Sequence, residues 1–209
     1  MTAWLKFHYP VEFMCAILNA SELDRISLAV KECSTMGVSV ISPDINRSEM
    51  QFSDYNGKIL YGLAAIKGIS SASMQEMIEE RKKGKFQNYC DLLARVSIGK
   101  ADMEKLIVSG ALDKCGFSRT ALKNAILPAF AIKNKYIKDY TTEEICRKLK
   151  EEISLSQSSD KENWLLQLNE EKELLGAYIS GHPLEQFKLL KADKSITPLS
   201  HAEAEKPQI

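Results

Sequence analysis

The sequence is poor in the residues that usually build an active centre. It has three histidines in 209 residues, His8, His182 and His201, far apart along the chain; His8 lies two residues before Pro10 and His182 directly before Pro183. Its five cysteines, Cys15, Cys33, Cys90, Cys115 and Cys146, are odd in number and widely spaced, with no Cys-x-x-Cys pair. A metal knuckle or dithiol motif is therefore not expected, and reduced, buried thiols in a cytoplasmic protein fit this usage. No glycine-rich loop ends in Lys-Ser or Lys-Thr, and no Gly-x-Ser-x-Gly elbow occurs. Two-metal nucleotidyl transfer needs paired carboxylates around ions about 4 Å apart. The carboxylates here fall on helix faces among basic residues, and Asp54 and Asp91 stand alone. No apolar run approaches the roughly 18 residues of a membrane span. The first ten residues carry Lys6 and His8 and no small-residue cleavage site, so they do not read as a signal peptide. These absences point to a binding segment, not a complete active site.

What is present is ordinary in amount and uneven in place. Hydrophobic residues make up 44% and charged residues 27%, enough for one or two domains with a real core. Net charge is zero, yet residues 1–150 hold 22 Lys and Arg against 17 Asp and Glu, and residues 151–209 hold 6 against 11. The basic excess lies in 61–150, with 17 basic against 10 acidic residues. That asymmetry suits a polyanion against the middle of the chain, although solvated helix faces would give a similar count.

Periodicity predicts a mainly α chain with a small antiparallel β-sheet. A helix should end near His8 because the residue before Pro10 avoids the helical region, and Pro10 opens the next helix. Residues 21–36 read as one amphipathic helix capped by Ser21 and closed by Gly37. A short strand at 38–41 and two segments flanking Asn56-Gly57 (50–52 and 58–63) make the sheet, the latter pair as a hairpin. Helices are expected near 86–96 and 102–108, from 118 to 140 with an interruption at Pro128, at 141–155 and at 163–178. Residues 154–160 read as a linker, and 195–209 as a frayed tail. The aromatic residues at the start of the chain lie in mid-pattern, as in a segment of a longer protein.

The rest is organised around residues 60–81. Leu63 and Ile66 set one apolar face, and Ile69, Met74, Met77 and Ile78 another at helical spacing. Between them Gly68 permits positive φ and leaves room for a close partner. Ser71 or Ser73 can N-cap the second helix, and Glu76 follows Ser73 at capping-box spacing. The arrangement aims amides and a positive helix end outward beside Lys67, which suits a phosphate. It resembles a helix-hairpin-helix motif, which grips a DNA backbone without reading sequence. It departs from the usual Gly-apolar-Gly at Ser70, whose placement at positive φ would cost about 1 kcal/mol. Two amphipathic helices joined by a glycine turn, with no ligand, satisfy the same pattern. Lys82, Lys83 and Lys85 form a basic link just beyond, and a second helix pair turns at 97–99.

Five stretches together resemble the bacterial replicative DNA polymerase III alpha subunits of the DnaE type. They are Trp4-Leu5-Lys6-Phe7-His8-Tyr9-Pro10-Val11-Glu12-Phe13-Met14; Pro43-Asp44-Ile45-Asn46-x-Ser48; Tyr61-Gly62-Leu63-x-Ala65-Ile66-Lys67-Gly68-Ile69; Leu106-Ile107-x-Ser109-Gly110-Ala111-Leu112-Asp113; and Glu171-Lys172-Glu173-Leu174-Leu175-Gly176-x-Tyr178-x-Ser180-Gly181-His182-Pro183-Leu184. The resemblance covers about residues 2–187. It implies a helical fingers segment containing the helix-hairpin-helix, from a DNA-directed DNA polymerase whose catalytic aspartates precede it. Residues 1–60 would be distal fingers helices and sheet, 61–150 the duplex-binding region, 151–187 a linker and acidic helix towards a following domain, and 188–209 a tail. The resemblance places duplex contact at Lys67, Gly68, Ile69, Ser70 and Ser71, and a template or nucleotide side near Lys6 and Tyr9; the charges of Lys67, Lys82, Lys83 and Lys85 would add counterion release. The segment itself would be inactive and need no cofactor, Mg being the parent's. The parent's partners would be duplex DNA, the sliding clamp and other replisome subunits, with no membrane. A helical scaffold for replisome proteins, without direct DNA contact, is the rival expectation.

Overall fold

Pro10 divides the first two helices of the computed structural model. α1 (Thr2–His8) stops before it, and α2 (Pro10–Ala20) starts on it, where the missing N–H leaves no intrahelical bond unmade. The structure describes residues 2–136 and 164–183, together with Glu144, Arg147 and Glu151. The expected helix at 141–155 therefore falls largely outside the described residues, and the linker and tail wholly so.

α2 buries Met14, Cys15 and Leu18 against α3 (Ile26–Thr35), which contributes Ile26, Ala29 and Cys33. The expected single helix over 21–36 is thus shorter, entered through a 3-10 turn at Leu23–Arg25. Ser21 is no N-cap: its hydroxyl donates back to the Ile17 carbonyl and closes α2. Burial pushes the Cys15 and Cys33 thiols up to about 11, and Cys15, Cys33, Cys90 and Cys115 are buried and not in disulfides.

The sheet is three-stranded and mixed. β2 (Ser53–Tyr55) pairs antiparallel with β3 (Lys58–Leu60), and β3 is the central strand, parallel to β1 (Val40–Ile41). Asn56 and Gly57 form the turn between β2 and β3, both at positive φ, as a tight right-twisted hairpin requires. The wholly antiparallel expectation fails at β1 because the chain crosses over between β1 and β2 before the hairpin forms. Residues 50–52 lie outside the ladder; there Met50 accepts from the Ala64 amide, and Glu49 from the Leu63 amide.

β3 leads through a 3-10 turn (Leu63–Ala65) into α4 (Ser71–Lys82). α5 (Tyr89–Arg95) is capped by Asn88, whose side chain accepts from the Cys90 and Asp91 amides. α6 (Lys100–Val108) and α7 (Arg119–Tyr136) pack together. α7 contains Pro128 and runs on past it. α8 (Trp164–Leu175) lies against α6. Leu175, at its end, is fully buried in the same core as Leu63, Leu92 and Leu106. Among the described residues no helix is long and apolar enough to cross a membrane.

Candidate nucleic-acid interface

The chain reverses between Ile66 and Ser71. Its first half differs from expectation, for one turn of 3-10 helix precedes the bend where a helix was expected. Tyr61 and Ile66 are buried, and Ile66 hydrogen-bonds back to Leu63, so the apolar residues there fill the core with too few positions to build an α-helix. Gly68 sits at φ +77, a conformation that is costly for any residue with a Cβ. Ser70 is extended, at φ −65, and serves as the N-cap of α4. The feared strain at Ser70 is absent because the chain has already left the left-handed region two residues earlier.

The expected capping box does not form. Ser73 donates to Asp102 Oδ2 at 3.1 Å, and Glu76 accepts from the Ser97 amide at 2.8 Å. Both side chains are drawn to the neighbouring helix pair, leaving Ser70 to cap through its backbone.

Three contacts fix the bend. The Lys67 amide donates to the Leu174 carbonyl at 3.1 Å, Lys105 Nζ to the Gly68 carbonyl, and the Ser70 amide to Asp102 Oδ2 at 3.4 Å. The Tyr61 hydroxyl supports the same helix end by donating to the Leu175 carbonyl at 2.8 Å. The amides of Gly68, Ile69 and Ser71 find no acceptor among the described residues. Lys67, Gly68, Ser70 and Ser71 are exposed and Ile69 is half-buried. The corner is therefore open, cationic and rich in unaccepted donors. A cleft of about 440 Å³ opens beside it, lined by Lys67, Gly68 and Ile69 of the bend together with Leu18, Asn19, Gln51, Phe52 and Ile66.

The structure separates the other expected contact residues from this corner. Lys82, Lys83 and Lys85 are exposed at the far end of α4, roughly 16 Å along the axis from Ser71 at about 1.5 Å per residue. Lys83 pairs with Glu80. Lys6 pairs with Glu32 on α3. Tyr9 is 49% exposed beside Trp4. The lysine that does reach the bend, Lys105, and the acid beside it, Asp102, were missed. Their three-residue spacing on α6 puts both on one face, but nothing in the sequence says what that face meets.

The second helix pair, α5 and α6, does turn at 97–99, with Gly99 at φ −78, and a second glycine corner, at φ +81, closes α6 at Gly110. A Cβ on Gly110 would lie on top of Arg119 Nη2 and 3.0 Å from Asp113 Oδ2. Arg119 donates Nε and Nη2 to Asp113 at 2.8 and 2.6 Å, Nη1 to the Val108 carbonyl and to Glu171 Oε2 at 3.1 and 2.7 Å, and Nη2 to Ser180 Oγ at 2.9 Å. Burial opposes its charge, but the bonds to Asp113 and Glu171 hold the guanidinium protonated well above its usual range. Glu171 is completely buried and also accepts from the Ile179 and Ser180 amides. Within an acidic helix it reads as solvated, and the sequence carries no signal for its burial.

A family model described as "Helix-hairpin-helix motif" matches residues 37–122. The chain is 36% identical over 200 residues to the DNA polymerase III subunit alpha of Escherichia coli (strain K12), covering 89% of this chain and 17% of the relative. The subunit of the same name from Vibrio cholerae is 34% identical over 200 residues, with the same coverage. That of Treponema pallidum is 34% identical over 217 residues, covering 97% of this chain and 18% of the relative. The chain thus spans about a sixth of the length of these curated relatives.

Proposed function

The chain is a relative of the DNA polymerase III alpha subunit along one segment of that protein, and from this premise we propose that it serves DNA-directed DNA synthesis by holding duplex DNA through its backbone. The segment 61–150 carries the contact; 1–60 and 151–187 frame it. The observation that supports this is the bend at Gly68, exposed, with unaccepted amides at Gly68, Ile69 and Ser71 and with Lys67 beside them. Amides and a helix N-terminus take phosphate oxygens without reading base edges. Lys67 adds counterion release, and Lys82 at the end of α4 and Lys85 just beyond it supply a second cationic point.

Synthesis itself is assigned to the rest of such a polymerase. Among the described residues no group of three or more His, Cys, Asp and Glu is placed to hold a metal ion. Mg would act elsewhere in the parent protein. Duplex DNA, the sliding clamp and other replisome subunits are the partners this reading implies, in the cytoplasm.

The test is a titration of labelled duplexes of unrelated sequence at several salt concentrations. Affinity should fall steeply with salt and be the same for every sequence. Lys67→Glu should reduce the slope of log affinity against log salt by about one or more, with an unchanged unfolding midpoint. Lys83→Glu should do less, since Glu80 already neutralises that lysine. No binding at low salt, or a flat salt dependence, removes the duplex reading.

One observation favours a protein-docking role instead. α1 exposes Trp4 by 56% and Phe7 by 80%, a pair of large apolar groups of the kind found at protein interfaces. A pull-down with clamp and clamp-loader subunits, run beside the duplex titration, distinguishes the two.

A further inference from the structure

We propose that Asp102 is a built-in opponent of anion binding at the Gly68 corner, a carboxylate that holds the place of a phosphate oxygen and so limits how tightly the corner grips duplex. This rests on the duplex reading above and adds to it a residue that works against the contact.

The argument starts from the two charges that α6 brings to the bend. Lys105 meets the Gly68 carbonyl. A carbonyl is no use to an anion, so this bond braces the loop and leaves a positive charge beside it. Asp102 does the opposite. Its Oδ2 accepts from Ser73 Oγ at 3.1 Å and from the Ser70 amide at 3.4 Å. A hydroxyl and an amide next to a helix N-terminus are the donors a phosphate oxygen would use. The amide bond is at the long limit of a hydrogen bond, so the carboxylate holds that donor weakly. Asp102 is half-buried, in the first turn of α6, where a negative charge is itself favoured. Its position is therefore stable without the Ser70 contact, and it remains near the corner when an anion arrives. A phosphate on the amides of Gly68, Ile69 and Ser71 must lie beside that charge, and it gains Ser70 and Ser73 only by displacing the carboxylate. At about 4 Å in water, like unit charges repel by an amount that corresponds to about fivefold in affinity.

The test uses the whole chain and a short, labelled, mixed-sequence duplex, with binding followed by fluorescence anisotropy at low and high salt. Asp102→Asn keeps an acceptor for Ser70 and Ser73 and removes only the charge. Glu104→Gln makes the same change in net charge two residues away on α6, where the side chain is exposed and faces elsewhere. The expected result is that Asp102→Asn binds about fivefold more tightly at low salt, that Glu104→Gln gains less than half as much, and that the difference closes at high salt. Asp102→Ser should show the same sign and stands in if the Asn variant folds poorly. Equal gains from the two neutralisations would overturn the proposal, because the effect would be net charge alone. Weaker binding by Asp102→Asn with an unchanged unfolding midpoint would also overturn it, because the carboxylate would then be orienting donors for the ligand. No binding by any form, including the unaltered chain, would remove the duplex reading and this proposal together, a result distinct from binding that Asp102 fails to modulate.

Discussion

The two glycine corners share a backbone conformation and differ in everything around it. Gly68 and Gly110 both sit near φ +80, at +77 and +81. Around Gly68 the nearest foreign atom is the tip of Lys105, 3.1 Å from where a Cβ would be, and the residue is exposed. Around Gly110 stands a guanidinium with every N–H spent, and the residue is buried. Sequence alone would treat them as equivalent turns. The difference lies in α7 and α8, which reach the second corner through Arg119 and Glu171 but touch the first only through carbonyls at the end of α8. One corner is spent on joining helices, and the other retains donors for something outside the chain.

The hardest blow to this contrast should come from Glu171→Ala. It strips acceptors from Arg119, from the Ser180 hydroxyl and from the Ile179 and Ser180 amides. Removing one partner of a buried ion pair costs about 3–5 kcal/mol, so denaturant melts should show a large fall in midpoint and earlier proteolysis after Leu175. Gly110→Ala should follow. A Cβ at positive φ costs about 1–2 kcal/mol, and displacing Arg119 from its bonds adds about 1–3 kcal/mol more. If Gly110→Ala melts like the unaltered chain, Arg119 has freedom the hydrogen bonds deny it, and the second corner is no joint.

Much of the fold was legible because it follows from local rules. Pro10 marked the break between α1 and α2, Asn56-Gly57 marked the β2–β3 turn, and the apolar spacing of Met74, Met77 and Ile78 marked the buried face of α4. Most of the misses are long-range; the bond from Ser21 to the Ile17 carbonyl, four residues back, is the local one. Ser21 and Ser73 have the chemistry of caps, and each was claimed by a different partner, the Ile17 carbonyl and Asp102. The parallel pairing of β1 depends on a crossover that no alternation pattern reports. At the candidate site, Gly68 and Lys67 could be read from the motif. Lys105 and Asp102 could not, since their relevance depends on how α6 crosses the bend. Glu171 was hidden most completely: its buried role exists only because Arg119, 52 residues earlier, supplies the charge that makes burial tolerable.

The sharpest use of the contrast is the smallest change in stability. Gly68→Ala should cost about 1–2 kcal/mol, the strain of a Cβ at positive φ, because the side chain it meets is the flexible end of Lys105, which need shift only a few tenths of an ångström and can keep its bond to the Gly68 carbonyl. Its unfolding midpoint should therefore fall less than that of Gly110→Ala. Duplex affinity should move the other way round. A methyl at position 68 stands on the exposed face of the bend and holds a phosphate off the amides of Ile69 and Ser71, so binding should weaken several-fold. Any stable level of duplex binding retained by Gly110→Ala should keep its unaltered salt slope, because no ligand contact is assigned to that corner. Equal loss of binding from both alanines at equal folded fraction would mean that the two corners act as one surface, and the division between joint and grip would have to be redrawn through α6, the element that touches both.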